Sequence, residues 1–174
     1  MIFMNKIYWF LFLWFAGFFT SYALEPVREY VEHPSNFEMK FKEEVLITED
    51  HYKIQSWICY PEQQVSNNTV LILAYGDTGN MSFWLRQVAE MVKQGFTLVM
   101  FDYRGFGASQ DFEFEPNRLY YDAFQVDLKA VLEHSKKVFP SSKIGVWALS
   151  MGTISRLWSM RRLLMILWLQ RDLP

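Results

Sequence analysis

The sequence has a single cysteine, Cys59, and only three histidines, His33, His51 and His134. One thiol cannot form an internal disulfide. No His/Cys grouping has metal-ligand spacing, so neither a disulfide framework nor a metal centre is expected. Cys59 reads as a small buried hydrophobe in a strand. Charge of one sign is lacking too: 17 Lys and Arg against 19 Asp and Glu leave a formal net charge of -2. Nucleic acid would find no basic footprint. There is no internal repeat, low-complexity stretch or linker, and no cofactor is expected. Apolar residues, in contrast, make up 51% of the 174 residues, more than a disordered chain carries and enough for one domain.

The N-terminus has its own pattern. Met1 to Lys6 carries one positive charge, Ile7 to Phe19 is an uncharged apolar run, and Ser21 and Ala23 put small residues at the -3 and -1 places of a cut after Ala23. These are the three regions of a secretory signal peptide. The apolar run is short of the roughly 20 residues that span a bilayer. Residues 1–23 are therefore expected to be removed and the protein exported, to a periplasm or outside the cell. The alternative is a membrane anchor through residues 1–23, and a membrane is expected as a partner only if that segment is uncleaved.

Beyond it, Phe37 to Ile47 begins with the alternation of a half-buried strand. A polar turn at Thr48 to His51 leads to a second strand, Ile54 to Tyr60, stopped by Pro61. The two should pair as an antiparallel hairpin. Val70 to Ala74, Thr97 to Phe101 and Lys143 to Ala148 are short apolar runs that fit strands buried on both faces. Between them, Ser82 to Lys93 and Asn117 to Val138 read as helices. The order β-β-β-α-β-α-β implies an α/β fold with parallel strands and crossover helices after an antiparallel opening.

The last apolar run leads straight into Ala148-Leu149-Ser150-Met151-Gly152. A nucleophile elbow has the form G-x-S-x-G on a sharp strand-to-helix turn; here alanine replaces the first glycine. Such a turn lifts the serine hydroxyl off the sheet and sets backbone N–H groups of the next helix beside it. Two other loops follow apolar strands: Tyr75-Gly76-Asp77-Thr78-Gly79-Asn80, and Asp102-Tyr103-Arg104-Gly105-Phe106-Gly107-Ala108-Ser109.

Together the three segments, from about Phe37 to Gly152, resemble the α/β-hydrolase superfamily, and within it the serine peptidases, esterases and thioesterases with an HGNAGN-like oxyanion loop. Tyr75 stands where that loop has histidine. The resemblance implies that Ser150 is the nucleophile. The N–H groups of Met151 and Asp77 would form the oxyanion hole. Tyr75 would supply a hydroxyl or a wall of the substrate pocket. It implies that Asp102 orders its own loop. His134 reads as a solvent-facing helix residue.

Such hydrolases place acid and histidine after the serine. Residues 151–174 contain no histidine, and their only carboxylate is Asp172. The family's sheet has eight strands, whereas about five are legible here. The chain is thus expected to hold the N-terminal part of the fold, a mostly parallel sheet truncated after the elbow, with the C-terminal strands missing. The tail from Thr153 to Pro174 has four arginines and no lysine, whereas residues 24–152 have eight lysines and four arginines. It reads as a shifted reading frame from about Thr153 or Ile154, or as the buried helix that follows an elbow. The expected organisation is a signal peptide at 1–23, a partial hydrolase domain at 24–152 and an atypical tail at 153–174. The expected function is an exported serine hydrolase acting on a small-molecule ester, thioester or amide through an acyl-Ser150 intermediate, inactive as the truncated chain. The alternatives are a non-catalytic remnant or binding domain of the same fold, and a membrane-anchored interaction protein.

Overall fold

A computed structural model describes residues 24–115 and 118–153. The expected signal segment 1–23, and the tail beyond Thr153, lie outside these residues. The elements are β1 (Glu25–Pro26), β2 (Lys40–Ile47), β3 (Lys53–Tyr60), β4 (Thr69–Ala74), β5 (Thr78–Gly79), α1 (Leu85–Lys93), β6 (Phe96–Phe101), α2 (Tyr121–Val138) and β7 (Lys143–Ala148). Among the described residues, no helix is long and apolar enough to cross a membrane.

The main sheet has the order β2-β3-β6-β4-β7, and β1 and β5 form a separate two-stranded parallel pair. The opening hairpin is antiparallel, as its alternation implies, and β3 also runs antiparallel to β6. Strands β6, β4 and β7 are mutually parallel. The α1 crossover leads from β4 to β6, and the α2 crossover returns past β4 to β7. Right-handed connections in opposite directions put the two helices on opposite faces. The C-terminal ends of β4 and β7 therefore flank the point where strand order reverses, the position at which open α/β sheets bind ligands.

Strand β4 reads as apolar because neighbours and helices cover it: Ile72, Leu73 and Ala74 are fully buried, as are Val99, Met100 and Phe101 on β6. Helix α1 turns Leu85, Val88, Ala89 and Val92 inward. Helix α2 does the same with Phe124, Leu128 and Val131, and with two polar residues, Asp127 and Ser135.

Four details depart from the sequence reading. Helix α1 starts at Leu85, not Ser82, because Met81–Trp84 forms a 3-10 turn. Strand β2 starts at Lys40, not Phe37, because Pro34–Phe37 forms a 3-10 turn. Asn36 Oδ1 accepts the His33 N–H at 2.7 Å, and Glu38 ends the turn in the left-handed region. Helix α2 starts at Tyr121, not Asn117; upstream, the Glu115 N–H donates to the Tyr120 hydroxyl and the Arg118 N–H to the Glu115 carbonyl. As an apolar run β7 reads as a strand buried on both faces, and truncation of the sheet after it implies an exposed edge instead. Its residues from Ile144 to Ala148 are only half-buried, because among the described residues β7 pairs on one side alone, with β4.

His134 does not face open solvent alone. It is paired with Glu44 of β2, which Lys42 also contacts. Burial pushes the Glu44 carboxyl up, but the hydrogen bonds from Lys42 and His134 outweigh it and hold the group below its usual 4.5. A depressed carboxylate contributes stability that is present above its unfolded value and lost as pH falls through the folded one. Glu44→Gln should therefore be less stable than wild type at neutral pH, by about 0.2–1 kcal/mol. Urea midpoints of the two proteins should converge as pH drops below the ordinary carboxylate range. A gap that does not change with pH would reject this origin.

Candidate active site

Strand β7 ends at Ala148, opposite Ala74 in the parallel register with β4. The chain then turns sharply. Leu149 N–H donates to the Ala74 carbonyl at 2.9 Å, Gly152 N–H to the Leu149 carbonyl at 2.9 Å, and Thr153 N–H to the Ser150 carbonyl at 2.9 Å. Ser150 takes φ 48°, in the left-handed region that a non-glycine residue enters only under constraint. This is the backbone geometry that the elbow motif implies. Ser150 itself is exposed, whereas Met151 and Gly152 are buried. Ala148 is not among the residues of positive φ, so this position makes no conformational demand for glycine.

Gly76 lies directly against the serine. A Cβ built on Gly76 would stand 3.3 Å from Ser150 Cβ and 3.7 Å from Ser150 Oγ. The backbone of the Tyr75–Asn80 loop thus approaches the hydroxyl because position 76 has no side chain. Asp77 follows, half-buried, and its carbonyl accepts the Glu25 N–H at 2.9 Å. The structure therefore brings Ser150, Met151 and the Gly76–Asp77 backbone together.

Tyr75 is placed differently. It is fully buried, and its hydroxyl donates to Asp102 Oδ1 at 3.0 Å. That hydroxyl is committed to the core side of the loop, away from the role of a free donor to substrate. Burial, with the Asp102 charge beside it, raises the phenol well above its usual range.

Asp102 is itself fully buried and collects three donors: Tyr75 Oη, Tyr30 Oη at 2.6 Å and the Met81 N–H at 2.8 Å. Burial raises its carboxyl, against the pull of those bonds. Gly107 packs so closely that a Cβ there would lie 1.8 Å from Asp102 Oδ2, and its φ of +47° also favours glycine. Asp102 ties its own loop to the Tyr75–Asn80 loop, which is the ordering role the resemblance implies.

All three histidines sit at the other end of the sheet. His33 bonds Ser35 and Glu43, His134 pairs with Glu44, and His51 lies in the β2–β3 turn. Strands β2 and β3 are separated from β7 by β6 and β4. Among the described residues, no histidine stands beside Ser150.

Sequence reasoning missed the segment from Leu24 to Glu32. It threads between the two motif loops, and its two-residue strand β1 is too short to show periodicity.

A strained serine on a β-strand-to-helix turn, at the strand-order switch of a mixed sheet and facing a glycine-bearing loop, places the chain among α/β-hydrolase folds, of which it holds a part. The sequence pattern of the family described as serine aminopeptidase, S33, matches residues 66–162, and the chain belongs to that family. It is 30% identical over 93 residues to an uncharacterized membrane protein of Saccharomyces cerevisiae, covering 53% of this chain and 31% of that one. Its fold is similar to the Pyrococcus furiosus esterase Pf2001, with TM-score 0.60, 26% identity, and coverage of 76% of this chain and 51% of the esterase. It is also similar in fold to XC6422 of Xanthomonas campestris, a serine hydrolase without a lid (TM-score 0.54, 20% identity, 65% and 52% coverage). The chain spans about half the length of these solved structures and under a third of the yeast protein.

Proposed function

We propose that Ser150 is the nucleophile of an exported serine hydrolase acting on a small-molecule ester, thioester or amide. The Ser150 oxygen attacks the substrate carbonyl carbon, its proton passes to a base, and the alcohol, thiol or amine leaves. Water then hydrolyses the acyl-Ser150 ester. The N–H groups of Met151 and Asp77 stabilise the oxyanion. The observation that carries this reading is the backbone of Ser150, strained at φ 48° and packed on Gly76. The esterase likeness of Pf2001 supports the substrate class.

With no base beside Ser150 among the described residues, the 174-residue chain is expected to be nearly inactive. Hydrolases stripped of a triad member keep roughly 10³–10⁴-fold catalysis over water from the remaining site. The alternative, a non-catalytic binding domain of the same fold, is favoured by that same placement of the histidines.

The test is covalent labelling by a fluorophosphonate. The folded chain should label slowly at Ser150, and Ser150→Ala should not label. Label that persists in Ser150→Ala, or a folded wild type that never labels, rejects the nucleophile and favours the binding domain. Export is tested separately: N-terminal sequencing of secreted protein should begin at Leu24.

A further inference from the structure

We propose that residues 24–32 form a strap that positions the oxyanion loop, with the backbone N–H groups of Glu25 and Val27 as its positioning groups. This rests on the assignment of the Tyr75–Asn80 loop to the oxyanion hole. The strap lies parallel to the loop, with Glu25 opposite Thr78 and Pro26 opposite Gly79. Glu25 N–H donates to the Asp77 carbonyl at 2.9 Å and Val27 N–H to the Gly79 carbonyl at 3.0 Å. Pro26 sits between these two donors, where the missing N–H costs no rung.

The loop grips back. Asn80 Nδ2 donates to the carbonyls of Val27 at 3.0 Å and Glu29 at 2.7 Å. The strap also reaches the other motif loop: Gly107 N–H donates to the Val27 carbonyl, and Tyr30 Oη donates to Asp102 while accepting the Ala108 N–H. A two-residue parallel pair has no sheet to support it, so its purpose must lie in what it holds. It fixes the Asp77 and Gly79 carbonyls at both ends of Thr78. Those two anchors restrict rotation of the backbone that presents the Asp77 N–H beside Ser150.

The strap begins at Leu24, which is buried. A cut after Ala23 would leave every donor of the strap in place.

Glu25→Pro deletes one N–H and leaves the side chain's exposed surroundings otherwise unchanged; Glu25→Ala keeps the N–H. Val27→Pro removes the second rung. In the full chain, each proline should raise amide hydrogen exchange at the surviving rung (Val27 in Glu25→Pro, Glu25 in Val27→Pro) and at Met81, whose N–H ties the end of the loop to Asp102, by about fivefold to tenfold, the value of one hydrogen bond, with β4 and β6 unchanged. Ser150 phosphonylation should slow by a similar factor, and Glu25→Ala should match wild type in both. Unchanged loop exchange in both proline variants, or exchange raised equally across the sheet, overturns the strap. An effect of Glu25→Ala as large as that of Glu25→Pro also overturns it. A wild type that never labels refutes the nucleophile instead, and the exchange data alone then decide whether the strap holds the loop.

Discussion

Arg104→Met should cost about 3–5 kcal/mol of folding stability, a large part of what a domain of this size possesses. Arg104 is 2% exposed and sits between two carboxylates. Its Nη2 lies 2.7 Å from Asp127 Oδ1, its Nη1 2.6 Å from Asp50 Oδ2, and its backbone N–H donates to Asp127 Oδ2 at 3.0 Å. The guanidinium also stacks on Tyr52, 4.0 Å from the ring centroid. Asp127 is fully buried on α2, so losing the cation leaves a carboxylate with neither solvent nor counterion.

The sign of the pH dependence follows. Burial already pushes the Asp127 carboxyl up to about 6, against the pull of Arg104, and removing the arginine takes that pull away. A carboxyl whose folded value exceeds its unfolded one binds protons more tightly when folded, so its contribution improves as pH falls. The deficit of Arg104→Met should therefore be largest at alkaline pH, shrink as pH falls toward about 6, and level off below it, where the wild-type carboxyl is protonated as well. Arg104→Met combined with Asp127→Leu should recover most of the loss, since a buried ion pair is often replaceable by apolar packing. Urea unfolding of the two single variants and the double variant measures the coupling. A single-variant loss under about 1 kcal/mol would mean that the pair is solvated, as surface ion pairs are.

This ion pair also shows where sequence reading stops. Arg104 lies inside a recognisable loop motif, but its partner lies 23 residues on in a helix whose other inward residues are apolar apart from Ser135, and no local pattern links them. The strands that carry the site were legible for the opposite reason: β4, β6 and β7 are contiguous apolar runs, the mark of strands inside a parallel sheet. The elbow was legible as well, because a strained serine needs small neighbours at fixed spacing. Tyr75 was only half legible. Its position beside the site follows from the loop motif, but the direction of its hydroxyl depends on Asp102, 27 residues away. The strap was not legible at all, since hydrogen bonds through backbone N–H groups leave no side-chain signature.

Gly145 within β7 and Gly152 just after it separate steric need from mere tolerance, and Gly152→Ala should be the more damaging change. A Cβ on Gly152 would stand 2.0 Å from the Ala74 carbonyl oxygen and 2.6 Å from its carbon. Both are backbone atoms of β4, the strand between β6 and β7, and neither can move without the sheet. The same carbonyl accepts the Leu149 N–H, so pushing it aside also breaks the bond that seats the elbow. Overpacking of this kind costs roughly 3 kcal/mol or more. Because the displaced turn carries Ser150, phosphonate labelling should be lost even in whatever fraction stays folded. Gly145, inside β7, is the control. A Cβ there would meet only Leu71 Cδ2, at 3.1 Å, the far end of a flexible side chain. Gly145→Ala should cost under about 1 kcal/mol and leave labelling intact. Melting curves and labelling rates of both variants test the contrast. If Gly152→Ala melts and labels like Gly145→Ala, the turn after β7 has slack, and the strain at Ser150 is not held there by the approach of Gly152 to β4.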